Sequence, residues 1–397
     1  MIDKPKYLVP MSSPEISDAD RQAVLDVLNT PILSIGSRIE HFEKLFKEFT
    51  GCRNAIGVSS GTAGLHLCVR ASGIGAGDVV ITTPFSFVSS TNVILFENAI
   101  PIFVDVDEKT GNMDIEQTRQ AATDLMQGGE KAKRWLPRKG AENRGELKAL
   151  VAVDVFGQPA DLDALKGITD QYHLKFIEDA CEALGAEYKN RKAGTAGDYG
   201  VFAFYPNKQI TTGEGGVVVT NDDRAADLMR SLRNQGRAVG DTWLQHTFLG
   251  YNYRMDEMSA ALGSSQFPRL DELISKRQKV ADAYNERLSE IAGVTVPSIS
   301  PDTTRVSWFV YVIQFADALD RDKIAANLEK EGIPVRPYFL PIHLQPYMVE
   351  KFGYQEGDFP VTEKLGKNGL ALPFSSVMSE TQVELVCEKI RTCVLPT

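Results

Sequence analysis

A lysine and an aspartate, well separated in the chain, are of the types that carbonyl chemistry needs. Lys208 stands in Phe202-Ala203-Phe204-Tyr205-Pro206-Asn207-Lys208-Gln209, at the end of a short aromatic run, and Gly213-Glu214-Gly215-Gly216 follows soon after. Lysines ordinarily pack their stems on a surface and keep the charge in water. An amine held among apolar groups and tight backbone loses solvation in its charged form, and can then attack a carbonyl as a nucleophile. Taken alone, the stretch reads equally well as a strand, a turn and another strand.

The aspartate is Asp179, in Ile177-Glu178-Asp179-Ala180-Cys181-Glu182. The apolar run 174–177 before it reads as a buried strand. Acidic residues at the carboxyl end of such a strand sit where open α/β sheets bind ligands; a helix N-cap is the other reading. A third element is Ser59-Ser60-Gly61-Thr62-Ala63-Gly64-Leu65-His66, an apolar stretch turning into a helical pattern. Small residues at a helix start let free N–H groups meet a phosphate, with Ser60 or Thr62 as further donors. His66, just inside that helix, reads as a packed side chain. An amine for an aldehyde and a carboxylate for a protonated ring nitrogen are what pyridoxal phosphate (PLP) asks of a protein, since the charged ring is the electron sink.

With the later block Gly250-Tyr251-Asn252-Tyr253-Arg254-Met255-Asp256-Glu257, and with Arg336-Pro337-Tyr338-Phe339 and His343-Leu344-Gln345-Pro346, these stretches resemble the DegT/DnrJ/StrS aminotransferases, PLP-dependent sugar aminotransferases of fold type I. The likeness runs from about residue 31 to about residue 374. It implies an α/β protein with a mostly parallel central sheet sandwiched by helices and a smaller α+β C-terminal domain. It implies PLP bound covalently to Lys208, pyridoxamine phosphate as the intermediate carrier, and Lys208 as the proton shuttle. Asp179 would pair with the ring nitrogen, Gly61 and Thr62 would hold the phosphate, and Phe87 would stack on the ring. Glu182 stands where many relatives carry Gln against the ring hydroxyl, and Ala203 stands where many carry a phosphate-binding serine. Asn252 matches a residue that reaches the neighbouring subunit's phosphate, which implies a homodimer with shared sites. Ser34, Arg254, Arg336, Tyr338 and His343 are the substrate contacts implied. The substrates would be glutamate and a nucleotide-linked keto sugar. The form Ile210-Thr211-Thr212-Gly213-Glu214-Gly215-Gly216 resembles relatives that aminate C4 of a 4-keto-6-deoxy sugar. A C3-acting sugar or cyclitol aminotransferase and a non-catalytic regulator are the alternatives. The family's 3-dehydratases carry His at the lysine position, and Lys208 speaks against that reading.

Composition fits a soluble enzyme. Net charge −10 and a pI near 5.2 argue against a nucleic-acid surface. No apolar run approaches the ~20 residues a membrane helix needs. The start Met1-Ile2-Asp3-Lys4-Pro5-Lys6 lacks the apolar core of a signal peptide. Five scattered cysteines without metal-ligand spacing suit a reducing cytoplasm, and no metal is expected. Cys181 reads as a small buried residue.

The elements that must position these groups follow from periodicity. Residues 14–30 read as a helix with Val24, Leu25 and Leu28 on its apolar side, and 39–49 as another. Strand candidates are 54–58, 79–82, 100–104, 149–155, 174–178, 201–204 and 216–220, alternating with helical patterns as in a parallel sheet covered on both faces. The charged, turn-rich stretch 127–147 reads as an exposed insertion. Pro268 should kink or break the helical stretch after Met255. These features divide the chain into a large domain, 1–270, and a small one, 271–397.

Overall fold

The computed structural model describes residues 7–394; the Met1–Lys6 start lies outside them. Seven strands, β1 (Asn54–Val58), β2 (Val79–Thr82), β3 (Ile100–Phe103), β4 (Leu147–Val153), β5 (Lys175–Asp179), β6 (Tyr199–Ala203) and β7 (Gly216–Thr220), form one sheet in the order β1-β7-β6-β5-β4-β2-β3. Every pair among β3, β2, β4, β5 and β6 is parallel. Only β7 is reversed, pairing antiparallel with both β1 and β6. The 204–215 connection holds no helix to carry the chain back across the sheet, so β7 returns beside β6 in the opposite sense.

Both faces of the sheet are covered, and every residue of β1, β2, β3 and β7 is buried. The side chains alternate between two cores with the period of the pleat. Ile81, Leu150 and Phe176 pack against Leu125 and Leu165, while Val80, Val151 and Ile177 pack against Leu65, Leu67 and Met229. Because β1 is antiparallel to β7, and β7 to β6, the carboxyl ends of β1, β2, β4, β5 and β6 open on the same edge.

A second sheet, β8 (Val294–Thr295), β9 (Tyr311–Phe315) and β10 (Gly369–Leu372), is antiparallel. Its core is built from Tyr284, Ile313, Leu328, Leu372 and Ile390. Leading to it, the helices Glu257–Gln266 and Leu270–Leu288 are split by a 3-10 turn, Phe267–Arg269, at Pro268. The proline lacks the N–H that would continue the ladder. Among the described residues, no helix is long and apolar enough to cross a membrane.

One sequence expectation is corrected and another gains detail. The first helix begins at Asp18, where Ser17 and Asp20 form a capping box, and it turns Asp20 and Val27 inward. Asp20 meets Arg269 at 2.7 Å, and this partly buried ion pair draws that face inward, while Leu25 and Leu28 stay 51% and 53% exposed. The 127–147 stretch is mostly exposed, as expected, yet it is anchored rather than a bare loop. It holds a short helix, Gly129–Lys133, and buries Ala132 and Ala141. The Trp135 indole N–H donates to Asp124, and Arg138 grips Asp358 through both terminal guanidinium nitrogens at 2.5 and 2.7 Å. The apolar residues hidden between its charges give it a surface to bury.

Candidate active site

Strand order brings the sequence-distant groups together. Asp179 ends the central strand β5, and Lys208 follows β6, its parallel neighbour. Ser60, Gly61 and Thr62 follow β1 and open the helix Gly61–Ala71, while Phe87 lies beyond β2. All of these line one cavity of about 450 Å3, with Glu182, Ala203 and Tyr338.

The Lys208 side chain is only 11% exposed. Its Nζ lies 3.6 Å from the centre of the Phe309 ring and 3.9 Å from Glu182 Oε1. The other Glu182 oxygen accepts the Phe156 N–H at 2.9 Å. Burial raises the Glu182 carboxyl above the usual range; the Lys208 charge and the Phe156 N–H oppose this. The acid at this position thus shares its two oxygens between the amine and the main chain.

Asp179 is buried, and its Oδ2 accepts the Ser90 hydroxyl at 2.6 Å while Oδ1 accepts the Cys181 N–H at 3.2 Å. Cys181 lines the pocket and is half-buried rather than buried as expected; the low-dielectric surroundings followed by the Asp179 charge push its thiol well up, which does not suit a nucleophile.

The loop carrying Lys208 is fixed from several sides. Phe204 N–H bonds to Gly215 and Thr212 N–H to Phe204. Gln266 reaches Thr211 with both amide atoms, at 3.1 and 2.6 Å, and Gln209 donates to Glu182 O at 2.7 Å.

The residues present fit a phosphorylated pyridine aldehyde. At the helix start, a Cβ on Gly61 would come 2.7 Å from Ala203 Cβ and 2.9 Å from Cys181 Sγ, so only glycine leaves the cradle open. The first N–H groups of a helix have no intrahelical partner and attract an anion. Ser60 caps this helix by accepting the Ala63 N–H, and Thr62 lines the pocket beside it. Phe87, 62% exposed, stands at the mouth.

Other predicted residues lie elsewhere in this chain. Ser34 is exposed and paired with Asp256. Arg254 donates to Asn234 at 3.0 Å, in a separate depression with Ile35 and Arg233. Asn252 is exposed and bridged to Asn234. Arg336 pairs with Glu329 at 3.2 Å. His343 is wholly buried, 2.9 Å from Glu363 and edge-on to Phe359, which is a packing role rather than a ligand's. His66 is packed as read, between Tyr253 and Glu97 at 3.0 and 2.8 Å.

Residues 14–391 match the model of the DegT/DnrJ/EryC1/StrS aminotransferase family. The chain belongs to this family. It is a PLP-dependent aminotransferase of the fold type I architecture. The spore coat polysaccharide biosynthesis protein SpsC of Bacillus subtilis is 34% identical over 99% of both chains. The GDP-perosamine synthase of Escherichia coli O157:H7 is 35% identical over 97% of this chain and 98% of its own. The structure of Helicobacter pylori PseC, an aminotransferase of pseudoaminic acid biosynthesis, superposes with a TM-score of 0.86 at 26% identity, covering 97% of this chain and 99% of PseC.

Sequence reading passed over Ser90, Gln209, Gln266, Glu257 and Arg277. Their signal is weak because each acts on a residue far away in the chain. Glu257 carried only an ordinary one, an acid in the first turn of a helix; that it is 2% exposed is known from the fold.

Proposed function

We propose that this aminotransferase moves an amino group from glutamate to a nucleotide-linked keto sugar, at C4 of a 4-keto-6-deoxy sugar, for polysaccharide or glycan synthesis. The observation that carries the reading is the Lys208 amine and the buried Asp179 carboxylate in one cavity beside a helix N-terminus. The names of SpsC, GDP-perosamine synthase and PseC support sugar amination, and the Ile210–Gly216 stretch supports C4.

When bound, PLP supplies an electron sink and a carrier for the amino group. Lys208 Nζ would hold it covalently and, once released, take and return the proton at the substrate carbon. Asp179 would face the ring nitrogen, keeping it protonated by its own negative charge. The N–H groups of Gly61 and Thr62, with the Thr62 hydroxyl, would hold the phosphate. Phe87 would cover the ring, Glu182 would lie beside the ring hydroxyl, and Tyr338 would meet the substrate from the smaller sheet's side. Ala203 offers no hydroxyl, so the helix start at Gly61 and Thr62 would have to supply the phosphate's donors.

Asn252 and Arg254 fit a role at the site of a second copy. Asn252 is exposed and outside its own chain's cavity. The nearby Trp243, Leu244 and Leu249 are 78%, 84% and 83% exposed, an apolar surface suited to a homodimer.

Purified protein with PLP should absorb at roughly 410–430 nm, and L-glutamate should bleach that band. Failure of every amino acid to bleach it overturns the reading. UDP-, dTDP- and GDP-linked keto sugars, offered to the bleached enzyme with NMR of the product, identify the nucleotide and the aminated carbon; a C3-amino product overturns the C4 assignment.

A further inference from the structure

Arg277, on the Leu270–Leu288 helix, is 2% exposed, and its recorded hydrogen bonds all go to main-chain oxygens. Nη1 donates to Trp308 O at 3.0 Å and Phe309 O at 3.2 Å. Nη2 donates to Asn207 O at 3.1 Å and Lys208 O at 2.7 Å. A guanidinium is costly to bury without a counter-charge, and burial lowers this one to about 10, still charged at neutral pH. What it ties is therefore informative. One nitrogen holds the main chain of the lysine loop. The other holds the segment just before β9, whose Phe309 ring faces the lysine amine at 3.6 Å.

That segment is also strained. Trp308 has φ +51°, a left-handed conformation costing a bulky residue about 1–3 kcal/mol. It persists because its neighbours over-determine it. Its carbonyl is held by Arg277, and its indole N–H donates at 2.7 Å to Gln278, the next residue of the helix. The turn at Trp308 is what brings the following residue's ring to the amine.

We propose that Arg277 is a positioning residue that sets the Lys208 amine against the face of Phe309. A planar fork with two nitrogens spans two carbonyl pairs at once; a lysine, with one nitrogen, cannot. The inference rests on Lys208 as the cofactor-bearing lysine, and it concerns how that amine is held before any cofactor arrives.

The first test uses cofactor-free protein. Trace acetic anhydride at one fixed pH, with peptide mass spectrometry, gives the acetylation of Lys208 relative to Lys44, whose side chain is 71% exposed. Arg277→Lys and Phe309→Leu should each raise this ratio more than about twofold, a ring contact of this kind being worth roughly 0.5–2 kcal/mol. The double variant should rise no further than the larger single one, because both act on one geometry. In the second test, appearance of the visible band after PLP is added should be about tenfold slower in Arg277→Lys. PLP affinity measured in the Lys208→Ala background should stay within about twofold on adding Arg277→Lys, an effect on orientation rather than on binding. If Arg277→Lys does not fold, Gln278→Ala, which frees Trp308, should shift both readouts in the same direction. Ratios and rates within twofold of wild type, or single effects that multiply, overturn the proposal. A wild-type protein that captures no PLP overturns the cofactor reading instead, while the acetylation ratio still tests the clamp.

Discussion

Lys208 Nζ stands 3.9 Å from Glu182 Oε1, and the second oxygen of the same carboxyl takes the N–H of Phe156. Phe156 has φ +59°, so its N–H is aimed by a strained turn after β4. Glu182→Gln keeps an oxygen for that N–H and should fold and bind PLP at least as well as wild type. Glu182→Ala leaves the N–H without its partner and should cost about 1–3 kcal/mol of stability. Denaturant midpoints and equilibrium dialysis with PLP check the pair; equal losses from both variants would show that the charge itself is what matters.

Ser90 donates to the carboxylate that would face the ring nitrogen. Asp179→Asn keeps the shape and removes the charge, and kcat should fall on the order of a hundredfold, as when one charge-stabilising group is lost. Ser90→Ala should act more mildly, weakening PLP binding about tenfold through one lost charge-assisted hydrogen bond. Steady-state kinetics and PLP titration separate the two effects.

Beneath Asp179, Asp154 and Glu178 are both wholly buried. Glu178 already accepts the N–H groups of Gly194 and Ala196. Burial first, then the Glu178 charge, pushes the Asp154 carboxyl well above its ordinary 3.8. Below that value the native and unfolded chains both carry the proton; above it only the native chain does. Stability therefore falls as pH climbs from about 3.8 toward the raised native value. Asp154→Asn cannot titrate, so its stability relative to wild type should improve steadily with pH across that window. Denaturant midpoints between about pH 4 and pH 8 check this; a pH-independent difference would show that the proton is absent.

Glu257 caps the start of the Ser37–Thr50 helix from another helix, accepting the N–H groups of Gly36, Arg38 and Ile39 at 3.0, 2.8 and 3.2 Å. It thereby holds the Ser34–Gly36 turn. Glu257→Ala should cost about 2–3 kcal/mol, the loss of a buried cap together with its charge-assisted bonds, and Glu257→Gln should recover part of it. Thermal or denaturant unfolding of both variants measures the difference.

The strands, their mostly parallel arrangement and the candidate elements at Asp179 and Gly61-Thr62 were legible in the sequence, while their grouping with Lys208 rested on the family resemblance. The elements rest on local physics: apolar runs of strand length, small residues at a helix start, an acid at a strand end. The break at Pro268 was legible for the same reason. What only tertiary structure decided is which face of a helix looks inward and what long-range partner a polar residue finds. Arg269 draws Asp20 into the interior and leaves Leu25 outside. Asp358 ties the charged 127–147 stretch down through Arg138. His343 shares a sequence block with site residues yet is buried against Glu363, away from the cavity. Arg277, a basic residue in a charged helical pattern, becomes the buried tie behind Lys208. Periodicity and motif spacing encode what a residue does with its chain neighbours; a hydrogen bond across the fold leaves no such periodic trace.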